Sequence, residues 1–508
     1  MSLKRNVAAS FIGQGWVVLM SFAFIPLYIR YLGIEAYGLI GFFIGLQAWI
    51  VVLDLGLGMT LTREMARFSA LQVEAPAIRD LLASAQWLYA ALGAAVGLAL
   101  WFLAPWLASN WFHSATLSHE TIVDSLRLLG LSIVIRWAAQ LYRASIQGLQ
   151  RQVWLAAFTV VASTLRAVGA VLLLVLGSAS VVQFFAWQLA VSVLELAVLG
   201  VRLHGYLPGG ARVAGSAAPL LKVWRFAGGV FLTNLFAVMM TQTDKLILAR
   251  MLPLGEFGYY TFAFTLGTAF AMFATPVFQA VAPRLTADIA SGDPARVAST
   301  YHKASQTMAM IALPAAAVAI FHAHTLIYVW SGDNLLAERS AGLTAIFVAA
   351  YTLNALVHVP AALALSHGWS AWAMFTNMVA ALLIVPAVIV ATQAFGAIGA
   401  AAANLALNLL YFAIAVRLLH RRLLGTEWRA WFVSDNLAPM VLALALAAAL
   451  VLVSPGSAGR WSGASFLVAS WAGVSIAVAL SLAYPRAILG QWLVASWRSI
   501  ATRPDGAP

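Results

Sequence analysis

The stretch "YLGIEAYGLIGFFIGLQAWIVVLDLGLGMTLTREMAR", residues 31–67, decides how this chain is read. From residue 37 to residue 61 it is almost wholly apolar, with Asp54 as its one charge. A helix needs roughly 20 such residues to cross a bilayer, so the segment reads as a membrane span. A short turn with Gly33 precedes it, and Arg63 and Arg67 close it. The rest of the chain has the same character. Of 508 residues, 63% are hydrophobic and 9% charged, whereas soluble domains are about a quarter charged. Lipid must therefore be the solvent for much of the surface.

Outward from that stretch, spans are expected near 10–31, 37–61, 81–104, 123–147, 153–176, 180–202, 226–249, 256–282, 304–330, 340–365, 370–392, 396–418, 437–454 and 463–484. That makes about fourteen, with twelve plus hydrophobic caps as the other count. The segment from Phe11 to Leu32 is long enough to span, and no small-residue cleavage site follows it, so it reads as a retained first helix rather than a signal peptide. If the N-terminus starts in the cytoplasm, twenty-one Lys and Arg fall on inward segments. The outward side holds five: Arg30, Lys245, Arg250, Arg339 and Arg460. This bias is the positive-inside pattern and places both termini in the cytoplasm. It also accounts for most of the net charge of +12, so nucleic acid is not expected as a partner. With no cysteine, disulfide, thiol and iron–sulfur chemistry are excluded. His322 and His324 lack partners at metal-ligand spacing, and no cofactor is expected.

The opening stretch has an echo. "IPLYIRYLGIEAYGLIGFF…", from Ile25, aligns with "KLILARMLPLGEFGYYTFAF…", from Lys245. At an offset of 220, Gln14 falls on Asn234, Arg30 on Arg250 and Gly38 on Gly258; at 221, Arg63 falls on Arg284. An even number of spans separates the copies, so they share one orientation, like parallel repeats related by an axis along the membrane normal. The expected fold is an all-α polytopic membrane protein: a six-helix bundle over 1–210, a second over 211–422, and two further helices with a short tail over 423–508. Two such bundles with a cleft between them suit alternating access.

Charge inside the spans points to function. In "IVIRWAAQLYRASIQ", residues 133–147, Arg136, Gln140, Arg143 and Gln147 are spaced four, three and four apart, which keeps them on one helix face. Arg143 and Gln147 lie near the inner end and are within snorkelling reach of the interface. Arg136 lies about 16 Å above that inner end, at 1.5 Å per residue, where an Arg costs at least about 2.5 kcal/mol. The next span carries Thr159, Ser163 and Arg166, and the one after it Gln188, Ser192 and Glu195. Two deep arginines with a single nearby acid leave excess positive charge, which in a low-dielectric cleft calls for a mobile anion. The expected anion-binding set is Arg136, Gln140, Arg143, Arg166 and Gln188. The alternative is structural pairing, with Glu195 neutralising Arg166. Glu195, Asp54 and Asp244 are the acids for a coupling ion, or else partners of nearby cations and backbone amides.

The stretch at 31–67, together with "QTDKLILARMLPLGEFGYY" at 242–260, resembles the bacterial polysaccharide-export family, the Wzx-type O-antigen flippases. Their superfamily also holds multidrug exporters and the lipid II flippase. The resemblance extends over essentially the whole chain and implies translocation of an undecaprenyl-diphosphate-linked oligosaccharide from the inner to the outer leaflet of the bacterial inner membrane. It also implies a cationic lumen, which Arg136 and Arg166 fit by type and span, a monomer, and neighbouring polysaccharide-assembly membrane proteins. The physics agrees: guanidinium binds phosphate in a bidentate fork and stays charged when buried, and amides suit sugar hydroxyls. A small-molecule exporter would share the fold but is expected to line its cavity with acids and aromatics. A membrane polymerase or ligase is expected to carry a large, charged outward loop, so the chain is not read as an enzyme.

Overall fold

The computed structural model describes residues 3–52, 54, 56–71, 75–177, 179–207, 218–272, 274–454, 459–488 and 491. Eighteen α-helices follow one another: α1 (Leu3–Ala23), α2 (Ile25–Leu32), α3 (Ile34–Val52), α4 (Leu57–Leu71), α5 (Ala75–Asn110), α6 (His119–Gly148), α7 (Gln152–Leu176), α8 (Val181–Tyr206) and α9 (Ala218–Met251). Then come α10 (Leu254–Ala271), α11 (Ala274–Ala290), α12 (Pro294–Phe321), α13 (Ala323–Ser331), α14 (Asn334–Ser366), α15 (Ser370–Leu410), α16 (Val416–Leu423), α17 (Ala438–Leu450) and α18 (Arg460–Ser481). Among the described residues there is no strand. A helix satisfies its own backbone, which is what hydrocarbon demands.

The described residues of the segments marked as spans in the sequence are almost all helical. Ten helices among the described residues are long and apolar enough to cross a membrane. α6 is not among the ten. Glu120, Asp124, Arg127, Arg136 and Arg143 dilute its apolar residues, and these include the charges that drew attention to it. Several spans that read as continuous are broken. α3 ends before Asp54, and Gly56 takes φ +75°, a conformation cheap only for glycine. The Asp54 carboxylate accepts the Gly58 N–H at 3.0 Å, which satisfies one of the unpaired donors in the first turn of α4. Conversely, the apolar stretch over residues 371–423 is 53 residues long. Gly396 divides it (φ +60°, ψ −142°), between the segments expected at 370–392 and 396–418.

The chain forms two compact units, Met1–Gly258 and Tyr259–Pro508. The division expected near residue 210 falls within 208–217, outside the described residues. In the first unit α6 is the hub. It packs against α8, α5, α4 and part of α3, while α1 lies along α7 and α3 along α9. The turn 111–118 before α6 is tied down: Glu35 accepts from Ser114 Oγ and Thr116 Oγ1 at 2.6 Å, and from the N–H groups of Ala115 and Thr116 at 3.0 Å. Leu254 N–H donates to His113 O at 2.8 Å, so the same turn reaches the start of α10.

Beside that turn the two repeated glycines meet. A Cβ on Gly38 would stand 2.8 Å from Leu254 O, and one on Gly258 2.3 Å from Ile34 O. Backbone on both sides leaves nowhere for a methyl group to go. Gly258→Ala is expected to destabilise the protein by about 1–3 kcal/mol, the usual cost of overpacking, read as a lowered thermal transition in nanodiscs. An unchanged transition would show that this crossing is not tight.

In the second unit α14 is the hub, with α11, α12, α13 and α15 against it and α17 and α18 against α12. Its core holds Tyr301, Met308, Phe412, Trp431 and Val478. A chain of amides ties α14 to α15: Asn354 Nδ2 donates to Asn408 Oδ1 at 3.1 Å, and within α15 Asn408 Nδ2 donates to Asn404 Oδ1 at 3.1 Å. His302 stands between Asp435 and Glu427, and Gln306 Nε2 donates to the second Asp435 oxygen at 2.8 Å. A carboxylate only accepts, so a histidine facing one at each ring nitrogen donates from both. This cluster fastens α12 to the segment ahead of α17.

Candidate functional site

Three consecutive helices of the first unit each carry a polar pair seven residues apart: Arg136 and Arg143 on α6, Thr159 and Arg166 on α7, Gln188 and Glu195 on α8. Seven residues are two turns, so each pair occupies one face. α8 packs against both α6 and α7, and the three faces converge.

Glu195 is at the centre. Its Oε1 accepts from Arg143 Nη2 at 2.9 Å and its Oε2 from Arg166 Nη2 at 2.8 Å. The side chains are sequestered, at 9% exposure for Glu195, 15% for Arg166 and 22% for Arg143. Arg166 Nη1 also donates to Gln188 Oε1 at 3.0 Å and Ser192 Oγ at 3.2 Å. Arg143 Nη1 donates to Thr159 Oγ1 at 3.1 Å. Arg136 differs. Its guanidinium lies over the Phe43 ring, 5.6 Å from the centroid, and it feels the charges of Arg166, Glu195 and Arg143. It donates to no hydrogen-bond acceptor among the described residues. Two guanidiniums therefore bond one carboxylate and a third, that of Arg136, feels its charge, which leaves the cluster with a surplus of two positive charges.

The sequence-marked residues thus divide. Arg136, Arg143, Arg166, Gln188 and Glu195 come together, and the Gln188 amide is occupied by Arg166 rather than open. Gln140 is exposed on α6 away from these bonds. Arg143, placed within snorkelling reach of the interface by its position, turns inward instead, because Glu195 offers a charge-assisted bond there. Gln147, the last of the four on that face of α6, lines a crevice of about 130 Å³ with Ser10, Gly13, Gln14, Gln152, Leu155, Ala156 and Thr159. Thr159 joins this neutral, amide-rich crevice to Arg143.

The other two acids lie apart from this bonded set. Asp54 accepts the Tyr89 hydroxyl, and the Tyr89 ring stacks on Trp137 of α6 at 4.3 Å. Asp244 is buried on α9 beside Lys245, whose ammonium donates to Gln242 Oε1. Sequence reasoning missed Tyr89 and Trp137, for which no spacing rule gives a signal. It also missed an arginine–aromatic run on α7 and α8, which two i, i+4 pairs, Trp154 with Phe158 and Arg202 with Tyr206, would have exposed.

Comparison with known proteins sets this geometry in context. Among solved structures the fold is similar to the lipid II flippase MurJ in its inward closed conformation, with a TM-score of 0.73, 14% identity, and coverage of 94% of this chain and 98% of that one. It is also similar to a multidrug resistance MATE family transporter of the MOP superfamily in an inward-facing conformation, with a TM-score of 0.62, 13% identity, and coverage of 81% and 99%. A third is a MOP superfamily transporter from Pyrococcus furiosus, described as having a binding pocket of reverse polarity, with a TM-score of 0.54, 16% identity, and coverage of 82% and 94%. At these identities the likeness is one of fold, and it makes this chain a multi-pass, all-helical membrane protein of that architecture. Comparison with curated protein sequences finds no match. The model of the polysaccharide biosynthesis protein family matches residues 3–287, more than half of the 508 residues, and the chain therefore belongs to that family.

Proposed function

We propose that this protein is a flippase that moves an undecaprenyl-diphosphate-linked oligosaccharide, an O-antigen or exopolysaccharide repeat unit, from the inner to the outer leaflet of the bacterial inner membrane. The observation that carries the reading is the cluster of three guanidiniums around one carboxylate, with Arg136 lacking a hydrogen-bonded acceptor among the described residues. A sequestered surplus of positive charge is costly and is relieved by a guest anion. A diphosphate offers several oxygens to guanidinium forks, and the polyprenyl tail stays in lipid while the head moves. On arrival the phosphate competes with Glu195 for Arg143 and Arg166, which frees Glu195 to take up a coupling proton or sodium ion. Asp54 and Asp244 are the other acids proposed for that role. The protein works as a monomer by alternating access between like-oriented bundles, with both termini cytoplasmic, beside other membrane proteins of polysaccharide assembly.

A small-molecule exporter is the second reading, favoured by the MATE likeness; the arginine surplus disfavours drug cations. A deletion strain separates the two. It is expected to accumulate lipid-linked repeat units that a membrane-impermeant glycan label cannot reach, with dye efflux unchanged. Lost dye efflux with normal surface glycan would overturn the reading. Labelled but unpolymerised units would point to a polymerase instead.

A further inference from the structure

A line of arginines and aromatic rings leads to the charged cluster from the end of α8. Arg151 lies over the Tyr206 ring at 5.0 Å, and Arg202 lies over the same ring at 5.0 Å and over Trp154 at 5.6 Å. Trp154 stacks on Phe158 at 5.3 Å with an interplanar angle of 6°, and Arg143 lies over Phe158 at 5.9 Å. Arg143 then bonds Glu195. Three arginines and three rings thus run from the exposed Arg151 and Arg202 to the sequestered Arg143.

The stacking leaves a particular chemistry open. A guanidinium carries five N–H donors, so one that lies over a ring and gives few of them to neighbours keeps nitrogens to bind a phosphate in a bidentate fork. Arg202 uses Nε on the Tyr206 hydroxyl at 3.1 Å and keeps its terminal nitrogens. The Arg151 guanidinium donates to no acceptor among the described residues. A membrane-interface belt would also mix Arg, Trp and Tyr. A belt has no reason to stack arginines in series toward a sequestered carboxylate.

We propose that Arg151, Arg202, Trp154 and Tyr206 form a loading subsite for the diphosphate head of the lipid-linked glycan, which captures the head at the end assigned to the cytoplasm and hands it to Arg143. This rests on the flippase reading. The shared chemistry is a lipid phosphate, and a bulk anionic phospholipid is the competing source.

The test uses the full-length protein in phosphatidylcholine nanodiscs, with undecaprenyl diphosphate as one probe and phosphatidylglycerol as the other, bound lipid being counted by native mass spectrometry. Arg151→Ala with Arg202→Ala is expected to weaken undecaprenyl diphosphate binding about tenfold or more, as two charge-assisted contacts predict, and to leave phosphatidylglycerol binding unchanged. The same pair changed to Lys keeps charge without the fork and falls between. Both sites are exposed, and an unshifted thermal transition confirms folding. Equal losses for the two lipids would make the subsite a general lipid anchor and overturn the proposal, as would no loss at all. Arg136→Ala serves as the reference. If it weakens undecaprenyl diphosphate binding while the double variant does not, only the loading subsite falls. If neither does, the flippase reading falls too.

Discussion

In a strain whose only copy carries Arg136→Ala, surface polysaccharide falls more than tenfold while the amount and thermal stability of the protein stay as in wild type. The two halves of this expectation have separate causes. Arg136 donates to no acceptor among the described residues and rests against the Phe43 ring, so truncation orphans no buried polar group. It also removes one of three mutually repelling cations, which offsets the loss of ring contact, worth about 0.5–1 kcal/mol. Binding of the anion, by contrast, loses charge-assisted hydrogen bonds worth about 1.5–3 kcal/mol, or roughly 10- to 150-fold. Arg136→Lys keeps the charge on a point donor without the planar fork and restores part of the activity. Immunoblotting and glycan staining of the same cells read both quantities. A variant that transports normally would remove Arg136 from the substrate path. One that fails to accumulate would mean that Arg136 holds the fold instead.

Why Arg136 was legible in the sequence, while much around it was not, follows from what periodicity encodes. A step of three or four residues says which side chains share a face, and the absence of charged neighbours at 128–135 says that Arg136 lies deep. The convergence of Arg136, Arg143, Arg166 and Glu195 was readable because consecutive antiparallel helices carry pairs at matched depth. Periodicity does not say how far each face is rotated toward its neighbour. Position alone therefore placed Arg143 within snorkelling reach of the interface, whereas it turns inward to share Glu195 with Arg166. The Tyr89–Asp54 bond and the His302–Asp435–Glu427 clamp join residues 35 or more positions apart, and no local rule reaches that far. Helix breaks differ in their chemistry: Gly56 and Gly58 stand at the α3–α4 break, while the break at His322 carries no glycine or proline beside it.

Glu195→Ala is expected to be the most damaging single change in the first unit, lowering stability by about 3–5 kcal/mol, the scale for removing one partner from a buried pair. Glu195 is the only carboxylate among the groups bonded to Arg143 and Arg166. Its loss leaves three guanidiniums to repel one another, with Gln188, Ser192 and Thr159 as neutral partners. Glu195→Gln keeps the shape and one acceptor but not the charge, so its loss is smaller. The double variant Glu195→Ala with Arg166→Met removes a cation along with the anion, and should recover part of the stability lost in the single change. Residues that share a bond are not additive, and the shortfall from additivity measures their coupling. Unfolding of the four proteins in identical nanodiscs supplies that cycle. A stable Glu195→Ala protein, or a double variant whose loss equals the sum of the two single losses, would show that Glu195 does not hold the cluster together. The same ion-pair competition gives the acid its place in transport: a carboxylate that the fold needs when the site is empty is the group a diphosphate displaces when the site is full.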